Sequence, residues 1–349
     1  MEETVRTPGK SMGIDFFTQD ILPKIKNDAC INFMGGEPTI HPQFTEIFQM
    51  TLTNVQPFTS LGVFTNGLMS DMVLDLFIQT ASKNGCIKNN INFALLLNWQ
   101  TPENTSEKNH QRTAHVAETM LSRNGYSITF SLNLYSVNQE LDRQCAEIDA
   151  IYQKVGLPSN QNYKIRVSPA FPIVGEGDAN IYLPIHDYPR MGRKMLDILK
   201  RFPQLEFRFD CSFPPCFLDD IQNDEMGLGE RFYYHGSQKL PPMKDWNNHH
   251  LYFGCADGSP MDIDSQGDCF NCFPFHNLRL GNVQEFKELN NIASAQMGAK
   301  FLNHVFEKTE VKEPCRSCPH YMVRCSSGCF SYNFVQRLAL EESQTSPTT

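Results

Sequence analysis

The sequence predicts an α/β protein built on a parallel sheet, followed by a small, irregular, cysteine-rich region. Two observations carry that prediction. Between residues 14 and 209, short apolar runs of strand length alternate with segments of helical period, the pattern of βα units wrapped around a parallel sheet. After Asp210 the alternation stops, and seven of the 12 cysteines fall between Cys255 and Cys329.

The elements follow in order. Ile14, Phe16, Phe17, Ile21 and Leu22 give a short amphipathic helix that Pro23 disturbs. The run 30–34 reads as a buried strand ended by Gly35-Gly36, and helical spacing returns over 44–52. A strand over 61–65 stops at Asn66-Gly67, and Ser70 caps a helix running through Phe77. Strand 91–97 leads through a polar loop to a helix around 114–121. Strand 127–134, helix 139–155, strand 164–167, helix 188–202 and strand 205–209 complete the alternation. The stretch 211–250 is rich in Pro, Gly, Asn and aromatic residues without a clear period and reads as a connector. The expected organisation is therefore a sheet domain over 1–210, a connector over 211–250, a cysteine-rich domain over 251–340 and a disordered tail over 341–349.

Composition narrows the function classes. At 349 residues and 40% hydrophobic content the chain can build one large or two modest cores. A net charge of −9 with no Lys/Arg run argues against a nucleic-acid surface. No stretch of about 18 apolar residues is present to span a membrane, and the polar Met1–Lys10 lacks the apolar core of a signal peptide. The cysteines are accordingly expected to be reduced and metal-binding in the cytoplasm rather than paired.

The last four cysteines, Cys315, Cys318, Cys325 and Cys329, are spaced C-x2-C-x6-C-x3-C. Such short spacers return the chain to the same few ångströms, so soft thiolates can converge on one or two metal centres. Cys30, Cys86 and Cys145 read as ordinary buried thiols. C-x2-C pairs bind zinc as well as iron–sulfur clusters, and a structural zinc module stays open at this point. The second motif, Gly35-Gly36-Glu37-Pro38, sits at the carboxyl end of a strand, the end where α/β folds bind ligands. The glycines allow close backbone approach, Glu37 offers a carboxylate suited to an ammonium group, and Pro38 fixes the turn into the next helix.

These residues resemble a known family. The segment Asn32-Phe33-Met34-Gly35-Gly36-Glu37-Pro38-Thr39-Ile40-His41-Pro42 resembles the second-strand signature of radical S-adenosylmethionine (radical SAM) enzymes, and Phe64-Thr65-Asn66-Gly67-Leu68 their third strand. The C-terminal cysteines are similar to the SPASM extension of peptide- and protein-modifying members such as anaerobic sulfatase-maturating enzymes. Cys255, Gly267 and Cys272 satisfy its first part; Cys315, Cys318, Cys325 and Cys329 match its second with one extra spacer residue. The resemblance runs from residue 14 to about 335.

The resemblance implies a partial (β/α) barrel and a maturase that abstracts a hydrogen from a peptide or protein side chain, with a reductant such as flavodoxin or ferredoxin. Its cofactors would be SAM and one or two auxiliary [4Fe-4S] clusters. SAM would be held by Gly35, Gly36, Glu37, Pro38 and Asn66, with Ser131, Asn133 and Arg166 as further contacts, and plain strand roles open for those last three. Cys255, Cys272 and Cys329 would belong to one auxiliary cluster and Cys315, Cys318 and Cys325 to the other, with Cys269 a spare candidate.

Two departures qualify what is implied. No cysteine follows Cys329, where the SPASM pattern has one more. The family's C-x3-C-x2-C loop, whose thiolates hold the catalytic cluster, is absent, and the strand that precedes it has no counterpart. Two expectations follow: an N-terminally incomplete radical SAM maturase, or a degenerate, non-catalytic partner that binds peptide or carries electrons.

Overall fold

Every strand expected from the apolar runs forms within two residues of its expected bounds. A computed structural model of the protein describes residues 11–26, 30–54, 59–82, 91–124, 128–156, 163–174, 180–209, 215–217, 232–234, 238–239, 261–308, 311, 313–319 and 329–332. Strands β1 (Cys30–Phe33), β2 (Thr59–Thr65), β3 (Ile91–Asn98), β4 (Ile128–Leu134), β5 (Tyr163–Pro169) and β6 (Leu205–Phe209) lie side by side in chain order, all parallel. Helices α2 (Phe44–Asn54), α3 (Asp71–Ala81), α4 (Glu107–Asn124), α5 (Leu141–Lys154) and α6 (Tyr188–Arg201) occupy the crossovers. The Ser70 hydroxyl accepts from the Val73 N–H, the cap expected for α3. Before them, α1 (Ile14–Phe16) widens into a π turn over Phe17–Ile21 and ends in a 3-10 turn, Leu22–Lys24, at Pro23, which has no N–H to donate.

The sheet is the partial-barrel kind. Strand order runs straight from β1 outward, and among the described residues no pairing closes it and no strand lies beyond β1. Two short strands, β7 (Phe232–Tyr234) and β8 (Gln238–Lys239), add to β6, the first parallel and the second antiparallel. They lie in the stretch read from sequence as a connector. The rest of that stretch, apart from 215–217, lies outside the described residues, as does the tail.

Burial alternates along the strands and separates two faces. One is apolar: Leu61 and Val63, Phe93, Leu95 and Leu97, Phe130, Leu132 and Leu134, Ile165 and Val167, Phe207 and Phe209 are buried in one continuous core. Each such side chain contributes on the order of 1.5–3 kcal/mol by leaving water. The other face carries, in matching register, Asn32, Phe64, Asn98, Ser131 and Asn133, Arg166 and Ser168, and Glu206 and Arg208. Most of these are half-buried or exposed, so this face remains polar and accessible.

A second core joins the two ends of the chain. Phe17, Ile21 and Leu22 pack with Ile47 of α2 and with Phe275, Leu280, Val283, Leu289, Phe301 and Phe330. Lys24 Nζ donates to the Val283 carbonyl at 2.9 Å, and the Leu289 N–H to the Lys24 carbonyl at 2.7 Å. The C-terminal part of this core consists of an antiparallel sheet of β9 (Asp262–Ile263), β10 (Asp268–Phe270) and β11 (Gly281–Asn282), together with α7 (Asn291–Lys308). Sequence reading expected only short strands here. Helix α7 forms because Ala293, Met297, Phe301 and Val305, each four residues on from the last, make one buried stripe.

Candidate cofactor site at the carboxyl ends of the strands

The carboxyl ends of β1 and β2 are tied by one carboxylate. Glu37 lies half-buried in the loop after β1, just before the 3-10 turn Pro38–Ile40. Its Oε1 accepts from the Thr39 N–H at 3.1 Å, the Thr39 hydroxyl at 2.6 Å and the Thr65 hydroxyl at 2.7 Å. Its Oε2 accepts from the Asn66 N–H at 2.6 Å. A carboxylate has about four acceptor positions, two on each oxygen. Oε1, shared among three donors, has none to spare, and Oε2, with one, keeps a position for a further donor such as an ammonium group. The sequence suggested only that outside partner; of the internal donors, the two on Thr39 come from the same turn, and those of Thr65 and Asn66 are brought up by the parallel pairing of β1 and β2.

Around this clamp the backbone is specialised. Gly35 adopts a φ of +133°, and the position of a Cβ there faces open space, so the peptide can meet a ligand directly. Gly67 takes a φ of +76° in the turn after β2, where a Cβ would lie 2.9 Å from Leu97 Cδ1 and 3.1 Å from the Thr113 Cα. Gly67→Ala is expected to cost about 2 kcal/mol, from left-handed strain plus overpacking, measured by urea unfolding. The loop also buries His41 Nε2 without a protein partner among the described residues, while His41 Nδ1 accepts from the Gln43 N–H at 3.0 Å. The neutral ring therefore carries its hydrogen on Nε2, a sheltered donor beside the Gly-Gly-Glu-Pro turn that sequence reading quoted but gave no role.

The remaining expected contacts line the polar face. Asn98 donates to the Asn66 side-chain oxygen at 3.0 Å. Ser131 and Arg166 are register partners, and Arg166 donates to the Ser131 hydroxyl at 2.5 Å. The Arg166 guanidinium stacks over Phe64, 4.9 Å from the ring centroid. Asn133 is exposed two residues further along β4. Glu37, Asn66, Ser131, Asn133 and Arg166 thus belong to one sheet: Glu37 and Asn66 at the ends of adjacent strands, the other three on the polar face. Arg208, the register partner of Arg166, adds a second guanidinium that sequence reading passed over; Glu206 lies 3.7 Å from it.

The cysteines divide by environment. Cys145 and Cys269 are fully buried. Burial pushes the Cys269 thiol up to about 12, with nearby Glu285, Asp268 and Asp264 adding to the effect, and its sulfur points to the Gly267 carbonyl. Cys272, Cys315, Cys318 and Cys329 are only half-buried, and the Cys318 N–H bonds the Cys315 carbonyl at 3.1 Å, folding that C-x2-C pair into one tight turn. These exposures and this turn suit a thiolate-held centre. Cys255 and Cys325 lie outside the described residues, and among the described residues no three ligating groups surround one point. Cys30 is exposed on β1, and Cys86 lies outside the described residues.

No family model matches this sequence, nor does any curated protein. The fold does have counterparts among solved structures. The chain aligns with anSMEcpe, an anaerobic sulfatase-maturating enzyme, in its hexahistidine-tagged form with bound AdoMet, at a TM-score of 0.55 and 13% identity over 99% of this chain and 90% of that one. It aligns with native anSMEcpe bound to AdoMet and the Cp18Cys peptide at a TM-score of 0.53 and 13% identity, over 95% and 88% of the two chains.

Proposed function

We propose that this protein is a radical SAM/SPASM-type maturase that binds SAM at the carboxyl ends of β1 and β2 and acts on a side chain of a peptide or protein. The observation that carries the reading is the Glu37 clamp at the rim of a polar, accessible sheet face, with Gly35 opening onto empty space. The shared fold with a protein that binds AdoMet and a peptide supports it. The spare position on Glu37 Oε2 would take the SAM ammonium group, the glycine peptides would lie against its amino-acid part, and Arg166 with Ser131 would meet its carboxylate or ribose. The cysteine region would hold one or two auxiliary [4Fe-4S] clusters, Cys272 and Cys329 with Cys255 at one, and Cys315, Cys318 and Cys325 at the other. The protein would work in the cytoplasm with a flavodoxin- or ferredoxin-like reductant. The chemistry that SAM supplies beside a reduced cluster is hydrogen-atom abstraction.

A second reading, a non-catalytic partner that binds peptide or carries electrons, is favoured by one observation. The 349 residues contain no C-x3-C-x2-C loop, so the strand ends supply no three-thiolate set for a catalytic cluster. Those residues hold and orient SAM; they do not provide its iron. The chain alone, reduced with dithionite, is therefore expected to bind SAM and to form no 5′-deoxyadenosine above background, followed by chromatography of the quenched mixture. Formation by this chain alone would place the catalytic cluster elsewhere than the strand ends. Supplying a C-x3-C-x2-C segment ahead of residue 1 separates the two readings: 5′-deoxyadenosine supports the maturase, and silence favours the partner.

A further inference from the structure

We propose that the open cleft between α5 and α6 docks an acidic segment of the peptide or protein substrate, away from the side chain that is modified. The inference rests on the maturase reading above and names a class of substrate, one that carries Asp or Glu residues at a distance from its reacting residue. The cleft, of about 530 Å³, is lined by Arg190, Arg193, Lys194 and Arg201 together with Asp142 and Asp197. Four cations against two carboxylates make it positive, on a chain whose net charge is −9.

The sequence of α6 builds this surface. Met191, Met195, Leu196, Ile198 and Leu199 are buried, so one apolar face holds the helix on the sheet. Arg190, Arg193, Asp197, Lys200 and Arg201 recur at helical spacing and are exposed on the other face. Lys194 lies half-buried at the boundary. Its Nζ donates to the Val137 carbonyl at 3.0 Å and to the Gln139 carbonyl at 2.6 Å, which fixes the cation and leaves one of its three hydrogens for a ligand. Arg201 pairs with Asp142 and joins the two helices, while Asp187 reaches Arg190 at 3.2 Å and Lys200 reaches Asp197 at 3.0 Å. Ion pairs as exposed as these contribute little, so an incoming row of carboxylates can exchange for them.

Topology places the cleft at the rim that carries the cofactor site. A crossover helix runs back from the carboxyl end of one parallel strand to the start of the next, so α5 and α6 both begin at the carboxyl ends. Val137 and Gln139 belong to the loop between β4 and α5, on that same rim, and they meet Lys194 midway along α6. Arg201, the last residue of α6, meets Asp142, the second residue of α5. The first turns of α6, with Arg190 and Arg193, therefore stand ahead of α5 on the rim side. A peptide seated along 190–201 can continue past the loop after β4 onto the polar face of the sheet. The lining selects the chemistry of the occupant: among the described residues it includes no aromatic or apolar side chain on which a nucleobase could stack or which could enter a bilayer. A peptide rich in carboxylates suits it better than a nucleotide or a membrane surface.

The test uses the full chain and two short fluorescein-labelled peptides, one alternating Glu with Ser and the other Gln with Ser, with binding read by anisotropy. The acidic peptide is expected to bind about tenfold more tightly at about 50 mM salt and to lose that advantage at about 500 mM. Arg190→Glu with Arg193→Glu should weaken it about tenfold, whereas Arg123→Glu with Lys154→Glu, the same change of net charge at exposed positions outside the cleft, should change it less than about twofold. Equal affinity for the two peptides, or an equal effect of the two double variants, overturns the proposal. Should the Glu pair fail to fold by circular dichroism, Arg190→Gln with Arg193→Gln replaces it, and unchanged affinity there overturns the proposal as well. An acidic flavodoxin as a third probe separates substrate from reductant: a loss of its binding in the Arg190 and Arg193 variant as large as the peptide's assigns the cleft to the reductant and overturns the proposal. Calorimetry with SAM on the same samples keeps the two readings apart. A chain that binds SAM and shows no preference for the acidic peptide loses the cleft alone, and one that prefers the acidic peptide without binding SAM loses the cofactor reading.

Discussion

Replacing Glu37 by alanine is expected to destabilise the protein by roughly 3 kcal/mol and to weaken SAM binding about tenfold or more. Hydrogen bonds to a charged group are worth about 1.5–3 kcal/mol each, and the donors left behind must find water or remain unpaired. Glu37 accepts from Thr39, Thr65 and Asn66, and Thr65 and Asn66 are at the end of a neighbouring strand. Their loss does not add linearly, because the loop can relax and admit solvent. The stability change is read by guanidinium unfolding and the affinity by calorimetry. Full loss of stability with unchanged SAM affinity would assign the carboxylate to the frame alone; no change in either would remove it from the site. Glu37→Gln, which keeps the shape and one acceptor, should fall between the parent and alanine in stability.

The second large effect concerns the metal region. Cys315→Ala with Cys318→Ala is expected to remove about four irons per chain from the reconstituted protein and to loosen the turn over residues 313–319, because a metal bound only by the folded form contributes its binding energy to folding. The turn positions both sulfurs through the Cys318 N–H bond to the Cys315 carbonyl, so the pair acts as one unit. Iron content by colorimetry and protease sensitivity of the C-terminal part provide the readouts. Unchanged iron would exclude this pair from a cluster. A colourless parent protein that carries zinc and no labile sulfide would instead make the region a structural zinc module.

The six strands were legible because each is a short apolar run with a turn signal at its end, and the Asn66-Gly67 stop proved to be a glycine at positive φ. The division of the sheet into an apolar and a polar face was also present in the alternation of Phe93, Leu95 and Leu97 with Asn92, Ala94 and Leu96, but its meaning depends on register, which a single sequence does not specify. Helix α7 had a readable stripe at Ala293, Met297, Phe301 and Val305. The reach of Glu37 to Thr65 and Asn66 and the pairing of Arg166 with Arg208 were not legible. Each depends on residues that are far apart in the chain and become neighbours only through strand order or helix packing. Local pattern predicts elements, whereas sites arise between them.

The contact between the first helical turns and the last third of the chain sets an order of events during synthesis. Lys24 and Val283 are 259 residues apart, so Phe17, Ile21 and Leu22 have no permanent apolar shelter until the segment around Leu289 and Phe301 has emerged. At about 5–20 residues per second, that interval is on the order of tens of seconds. The sheet can grow strand by strand from β1 to β6 with mostly local closures, but this final clasp has a very long sequence separation and should form last and slowly. During that interval the nascent chain presents a bare apolar turn, surface of the kind that chaperones bind.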